Sequence, residues 1–134
     1  MIMYFYLILL FTHWVADFIF QTNWEATNKS KNNIALLSHT TKYSIIMLLP
    51  VVFNLTFTLE DIAAFWAITF FCHTITDFFT SRINSKLWAK QDVHNFFVSI
   101  GFDQFLHALQ LGLTYMFLIN YGMSHMVFCS IYNR

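Results

Sequence analysis

Residues 12–21 read Thr-His-Trp-Val-Ala-Asp-Phe-Ile-Phe-Gln and lie inside an apolar run near the start of the chain. His13, Asp17 and Gln21 are spaced four residues apart, so a regular helix would place them on one face. The side chains between them are mostly large and apolar, as in a helix that crosses a membrane. An ionised group in hydrocarbon costs several kcal/mol, so this polar stripe is expected to face the interior of a bundle and to bind something there.

Two further pairs repeat the spacing in later apolar runs. His73 and Asp77 have the same H-x-x-x-D-F spelling as His13 and Asp17, and Asp103 and His107 have the same spacing in the reverse order. The pattern therefore predicts that three separate helices each bring a histidine and an aspartate to one site.

The composition is that of a membrane protein. Of the 134 residues, 57% are hydrophobic and only 10% are charged, which is too few to cover a soluble globule. The net charge is zero, and the chain has neither a basic run nor a glycine-rich phosphate loop, which argues against nucleic-acid and nucleotide binding. Cys72 and Cys129 lack a C-x-x-C spacing and are interpreted as small apolar residues.

Four apolar stretches reach or approach the roughly 20 residues that a helix needs to span a bilayer. The sequence therefore predicts an all-α polytopic membrane protein, a four-transmembrane-helix bundle within a single domain, 1–134. The first stretch lacks the flanks of a signal peptide, so we expect it to be a permanent span. The predicted spans cover residues 2–22, 34–54, 62–81 and 96–121.

The basic residues predict the orientation. Five of the seven Lys and Arg residues lie in the first and third links, and none lies in the second. We expect a short interfacial helix in the third link. The positive-inside rule then places the first and third links in the cytoplasm, most simply of a bacterial inner membrane, with both termini outside. At 1.5 Å per residue, the His and Asp pairs share a depth roughly 7 to 14 Å from the cytoplasmic ends of the spans.

The two H-x-x-x-D helices would run in the same direction, each followed by a returning helix. This arrangement predicts a 2+2 internal repeat about an axis along the membrane normal, with the pairs face to face.

Imidazole and carboxylate groups are ligands of Zn, and also of Mn or Fe. Four histidines and three aspartates exceed the four ligands of one tetrahedral ion, so two ions, or one ion and an Asp general base, fit the number better. We expect Zn as the cofactor, with Mn or Fe as alternatives. The predicted ligands are His13, Asp17, His39, His73, Asp77, Asp103 and His107.

Metal ions lower the pKa of bound water to about 7, which supplies hydroxide for attack on phosphorus or carbonyl centres. At the cytoplasmic leaflet the accessible esters are phospholipids and lipid-linked phosphoesters, so membrane lipids are the expected partners. The predicted catalytic residues are Asp17, Asp77 and Asp103, and the predicted substrate-binding residues are Gln21, Lys42 and Gln104.

Three other interpretations remain open at this point. Intramembrane His and Asp side chains can bond to each other and hold helices together. They can also form the path of an ion or proton transporter. The chain could finally be a structural or regulatory protein, such as a phage-encoded modifier of the envelope, in which a metal ion only fixes the fold.

The order of these motifs resembles that of a domain-of-unknown-function family of small bacterial and phage membrane proteins. The resemblance covers Thr12 to His107, and it is carried by H-x-x-x-D-F-x-x-Q, H-x-x-x-D and D-Q-x-x-H. The order is also distantly similar to that of the LexA-regulated predicted membrane-bound metal-dependent hydrolases. These resemblances imply a shared site at the motif positions and a hydrolase activity. The chain departs from the pattern after Asp77, where the first basic residue is Arg82.

Overall fold

The computed structural model describes residues 2–54 and 56–132, with side chains described for residues 3–54 and 56–120. Every regular element in these residues is helical, which confirms the predicted all-α class for the described chain. The side chains from residue 121 onward, including that of Cys129, lie outside the described side chains. The elements are α1 (Ile2–Trp14), a π-helical turn (Val15–Ile19), α2 (Asn23–Asn28), α3 (Asn33–Val52), α4 (Leu59–Ala89) and α5 (Val93–Tyr132).

Three helices are long and apolar enough to cross a membrane. They are α3, α4 and residues Val93–Asn120 of α5. The first apolar helix, Met3–Ile19, is shorter than the roughly 20 residues of a full span. A membrane location therefore fits the helices, whereas a count of four spans stays a prediction.

Local sequence explains where the helices begin and end. α2 and α4 each start with a capping box, in which a threonine and an acidic residue exchange hydrogen bonds: Thr22 with Glu25, and Thr58 with Asp61. Helix α4 then continues to Ala89, because residues 82–89 contain neither glycine nor proline. The prediction of a third link from residue 82 with its own short helix is therefore wrong. The link is residues 90–92, where Gln91 has a left-handed φ of 57°.

The long helices form a four-membered ring. α1 packs on α3 and α5, and α4 also packs on α3 and α5, while α1 and α4 do not pack on each other within the described chain. Short links make successive long helices run in opposite directions, as in an up-down-up-down bundle. The two helices with the H-x-x-x-D spelling therefore lie diagonally opposite each other. The 2+2 internal repeat itself stays a prediction.

The bundle interior has an apolar half and a polar half. Leu9, Met47, Phe65, Leu111 and Leu118 are buried together in the apolar half. The polar half contains the buried His13, Asp17, His39, His73, Asp77, Asp103 and His107. Large apolar side chains are exposed on the outer face of every long helix, which is the arrangement expected of helices surrounded by lipid.

The first link is fastened to α3 through a buried acid. Glu25 of α2 accepts hydrogen bonds from Ser38 Oγ (2.7 Å) and Lys42 Nζ (2.6 Å), in addition to those from Thr22. Burial alone would raise the pKa of Glu25, but these hydrogen bonds outweigh it and lower the pKa to about 2. The carboxylate therefore holds α2 against the start of α3.

We expect Glu25→Gln to lower the stability of the detergent-solubilised protein at pH 7 by about 1–3 kcal/mol, because charge-assisted hydrogen bonds are lost. A group with a lowered folded pKa stabilises the protein above its ordinary pKa and loses this contribution as the pH falls through the folded value. The difference between wild type and variant should therefore shrink from near pH 4.5 toward pH 2 in thermal unfolding. The exposed Glu60→Gln is the control, and equal stability of both variants at pH 7 would contradict the role of Glu25.

Candidate metal centre

A π-helical turn changes the geometry of the stretch that carries the first pair. His13 lies in the last turn of α1, whereas Asp17 lies in the π-helical turn, and Gln21 follows the end of the helix. His13 and Asp17 still point to the same side of the bundle, because both are buried and both contact Gln104. The prediction that all three residues share one face of a regular helix is wrong for Gln21, which lies beyond the end of the helix.

Four side chains from three parts of the chain meet at a first position. His39 Nε2 lies 3.1 Å from Asp17 Oδ1 and 3.3 Å from Asp77 Oδ2. His73 Nε2 lies 3.6 Å from Asp17 Oδ1 and 3.7 Å from Asp77 Oδ2. All four residues are buried, and their donor atoms are close enough together to hold one ion. Two imidazoles and two carboxylates provide a complete tetrahedral ligand set.

Three side chains meet at a second position next to the first. Asp17, Asp103 and His107 are buried and also have donor atoms close enough to hold an ion. His107 Nε2 lies 3.5 Å from Asp103 Oδ1 and 3.4 Å from Asp77 Oδ1. Asp17 thus belongs to both groups, while the two oxygens of Asp77 face different groups. Carboxylates shared in this way are typical of helix bundles that hold two metal ions.

The chemistry of the donor atoms fits a divalent cation. His39 Nε2 and His73 Nε2 are only 3.2 Å apart and face the same two carboxylates. The buried His107 Nε2 has no hydrogen-bond partner among the described side chains. A cation would satisfy several of these lone pairs and charges together, which hydrogen bonds do only in part. The groups contain nitrogen and oxygen donors and no sulfur, a set that suits Zn, Mn or Fe.

His13, a predicted ligand, lies outside both groups. Its Nδ1 is 2.9 Å from the Tyr43 hydroxyl and its Nε2 is 3.0 Å from Gln104 Oε1. The Gln104 amide in turn donates to Asp17 Oδ2 (3.0 Å) and Asp103 Oδ2 (3.1 Å). With both ring nitrogens engaged, His13 orients Gln104, and Gln104 orients two carboxylates. Such outer contacts fix the direction of metal ligands.

Other polar side chains support individual ligands. Gln21 Nε2 lies 3.2 Å from His39 Nδ1. With the Gln21 amide flipped, its oxygen would accept a hydrogen bond from His39 Nδ1, which leaves His39 Nε2 free to bind a metal. Thr80 donates to Asp103 Oδ1 at 2.6 Å. The structure therefore places Gln21 and Gln104, both predicted to bind substrate, in contact with site residues.

The lysine next to the site is not the one that was predicted. Lys42 is paired with Glu25, away from both groups, while Lys29 of the first link donates to Asp77 Oδ2 at 2.7 Å. Burial disfavours the charged form of Lys29, but Asp77 and Asp17 outweigh it, so its pKa is raised. From the sequence alone, Lys29 counted only as one of the basic residues that predict the orientation of the chain in the membrane. The one local signal was the capping box at Thr22, which predicts a helix in the link but not its contact with α4.

Sequence comparison places the chain in a family. The profile described as "Protein of unknown function (DUF3307)" matches residues 5–133. The chain belongs to the DUF3307 family. This match agrees with the expected membership of a family of unknown function, and it extends beyond the motifs between Thr12 and His107. No curated protein and no solved structure matches this DUF3307 chain.

The two-group geometry predicts different results for two histidines of this DUF3307 protein. We expect His39→Gln to reduce the number of Co²⁺ ions bound per chain, because a direct ligand is lost. His13→Gln should bind as many ions as wild type, with an affinity lowered by about tenfold to a hundredfold, because it acts through Gln104. Titration of the metal-depleted protein, followed by Co²⁺ absorption, measures both quantities. An unchanged number of ions in His39→Gln would contradict the first position.

Proposed function

We propose that this protein is a membrane-embedded, metal-dependent hydrolase that acts on a phospholipid or a lipid-linked phosphoester. The observation that supports this proposal best is the unequal size of the two ligand groups. The first group has four side chains and the second has three. Structural zinc sites are closed by four protein ligands, whereas catalytic sites have three protein ligands and one open position.

The side chains around the second group suit hydrolysis. A divalent cation with an open position lowers the pKa of water and polarises a phosphoryl oxygen. Asp77 Oδ1 lies beside His107 at the edge of this group, where it can accept the proton of an attacking water. Asp17 holds the two groups together, while Thr80 and Gln104 fix the position of Asp103. Zn is the proposed ion, since it suits both ligand sets.

The setting of the site supports a lipid substrate. Exposed apolar side chains surround the bundle, and the buried polar groups lie at the end that carries the lysine-containing first link. In the proposed orientation this end faces the cytoplasmic leaflet of a bacterial inner membrane, with both termini outside. We also propose that the protein is related to the membrane-bound metal-dependent hydrolases and that it is encoded by a phage.

The proposal predicts that turnover and metal content depend on the same residues. We expect wild-type protein in vesicles of defined phospholipids to release a phosphorus-containing product, followed by ³¹P NMR. Asp77→Asn and His107→Ala should each lower turnover at least a hundredfold and reduce the number of bound ions, because each removes a donor atom at the site. The exposed Glu60→Gln and His94→Ala are the matched controls and should behave as wild type.

Other results would replace the proposal. Full turnover in Asp77→Asn or His107→Ala would remove these residues from the reaction. Ion or proton flux across vesicles that depends on Asp17 and Asp77, without turnover, would favour a transporter. Bound metal whose removal unfolds the bundle, with no product from any lipid tested, would favour a structural metal site.

A further inference from the structure

We infer that Lys29 is an anion-binding residue that makes this site specific for phosphoesters over carboxylic esters. The inference rests on the proposed function, and it assigns a role to a residue that the metal groups leave unused. Lys29 is the C-terminal cap of α2. Its side chain is only 17% exposed, and its ammonium group donates to Asp77 Oδ2 at 2.7 Å.

The ammonium group of Lys29 contacts an oxygen that also belongs to the first group of ligands. The same oxygen, Asp77 Oδ2, lies 3.3 Å from His39 Nε2 and 3.7 Å from His73 Nε2. When Asp77 Oδ2 binds a cation, less of its negative charge remains to balance Lys29. A buried ammonium group then needs another anionic partner nearby.

The charges of the site identify the partner. With neutral imidazoles, the carboxylates of Asp17, Asp77 and Asp103 would not balance two bound divalent cations together with the Lys29 ammonium group. The excess would be positive, so an anionic phosphate group would be attracted while a neutral carboxylic ester would not. Ammonium groups are also common phosphate ligands in proteins.

A free polar group lies on the same side of the site. Ser81 follows Asp77 by one helical turn on α4, and its buried hydroxyl has no hydrogen-bond partner among the described side chains. The Arg82 guanidinium donates to Asn33 Oδ1 at 3.0 Å, so the chain from Lys29 to Asn33 runs beside this turn of α4. Ser81 is thus an unpartnered hydrogen-bonding group one helical turn from Asp77, the residue that Lys29 contacts.

The simpler interpretation is that Lys29 only fastens the first link to α4. That role requires a cation opposite Asp77, and it predicts lower stability without Lys29 but unchanged recognition of phosphate. An anion-binding role predicts that phosphate binding depends on Lys29 even when the metal content is unchanged.

The test measures binding of inorganic phosphate to the zinc-loaded full chain in detergent, by calorimetry, with the zinc content of each sample determined in parallel. We expect Lys29→Met to weaken phosphate binding about tenfold or more and Lys29→Arg to retain most of it, since Arg keeps the charge. Lys31→Met is the control because Lys31 is an exposed lysine of the same link, and it should leave binding unchanged. Equal phosphate binding in wild type and Lys29→Met, or no binding in wild type, would overturn the inference, and so would fewer zinc ions in Lys29→Met.

A second arm separates this inference from the proposed function. Wild type and Lys29→Met are compared on a phospholipid and on a carboxylic ester with the same acyl chain, in the same vesicles. A lower kcat/KM for the phospholipid alone supports both proposals, and an equal loss on both esters overturns the specificity role. Lys29-dependent binding of inorganic phosphate without turnover of any ester would sustain the anion site and remove the hydrolase.

Discussion

Three carboxylates and three imidazoles share a small volume inside a bundle whose other interior half is apolar. Charges buried in this way are costly unless opposite charges or metal ions balance them. Much of the remaining structure serves this balance. The ring of four helices brings the groups together from different parts of the chain, the first link contributes a lysine, and a layer of amide, phenol and hydroxyl groups holds the ligands in place.

Two local features of the chain place side chains at this site, the π-helical turn and the folded first link. Asp17 lies in the π-helical turn and belongs to both ligand groups, while His13, in the last turn of α1, contacts Tyr43 and Gln104. The first link folds back onto α3 through Glu25, and Lys29 can then contact Asp77. The π-helical turn and the short capped helix α2 therefore place Asp17 and Lys29 at the groups that could hold a cation.

The sequence predicted the parts of this arrangement that depend on periodicity. Long apolar stretches indicated helices, and the His and Asp spacings indicated shared faces, so six of the seven predicted ligands fall within the two groups. The exception is His13, because its two ring nitrogens contact Tyr43 and Gln104 on other helices, and spacing within one helix does not show such contacts. Lys29 was missed because its role depends on how a polar link folds over α4, which spacing within one helix does not show. The extent of α4 was underestimated, since its charged last turns resemble a link although no residue there interrupts a helix.

The proposed function assigns different roles to the two ligand groups. In this proposal the group of four ligands would hold an ion firmly, while the neighbouring group of three would leave room for a reactant. Because Asp17 belongs to both groups, we expect a substitution in one group to change metal binding in the other. This arrangement links the stability of the bundle to the proposed chemistry, because the same buried carboxylates take part in both.

The central claim is that the buried histidines and aspartates bind metal ions. Elemental analysis of wild-type protein, purified without added metal and again after exposure to Zn²⁺ and removal of unbound ions, tests it most directly. Two transition-metal ions per chain are the predicted result. Protein that contains no metal as purified and retains none after exposure to Zn²⁺ would contradict the claim and leave the cluster as a network of hydrogen bonds and ion pairs.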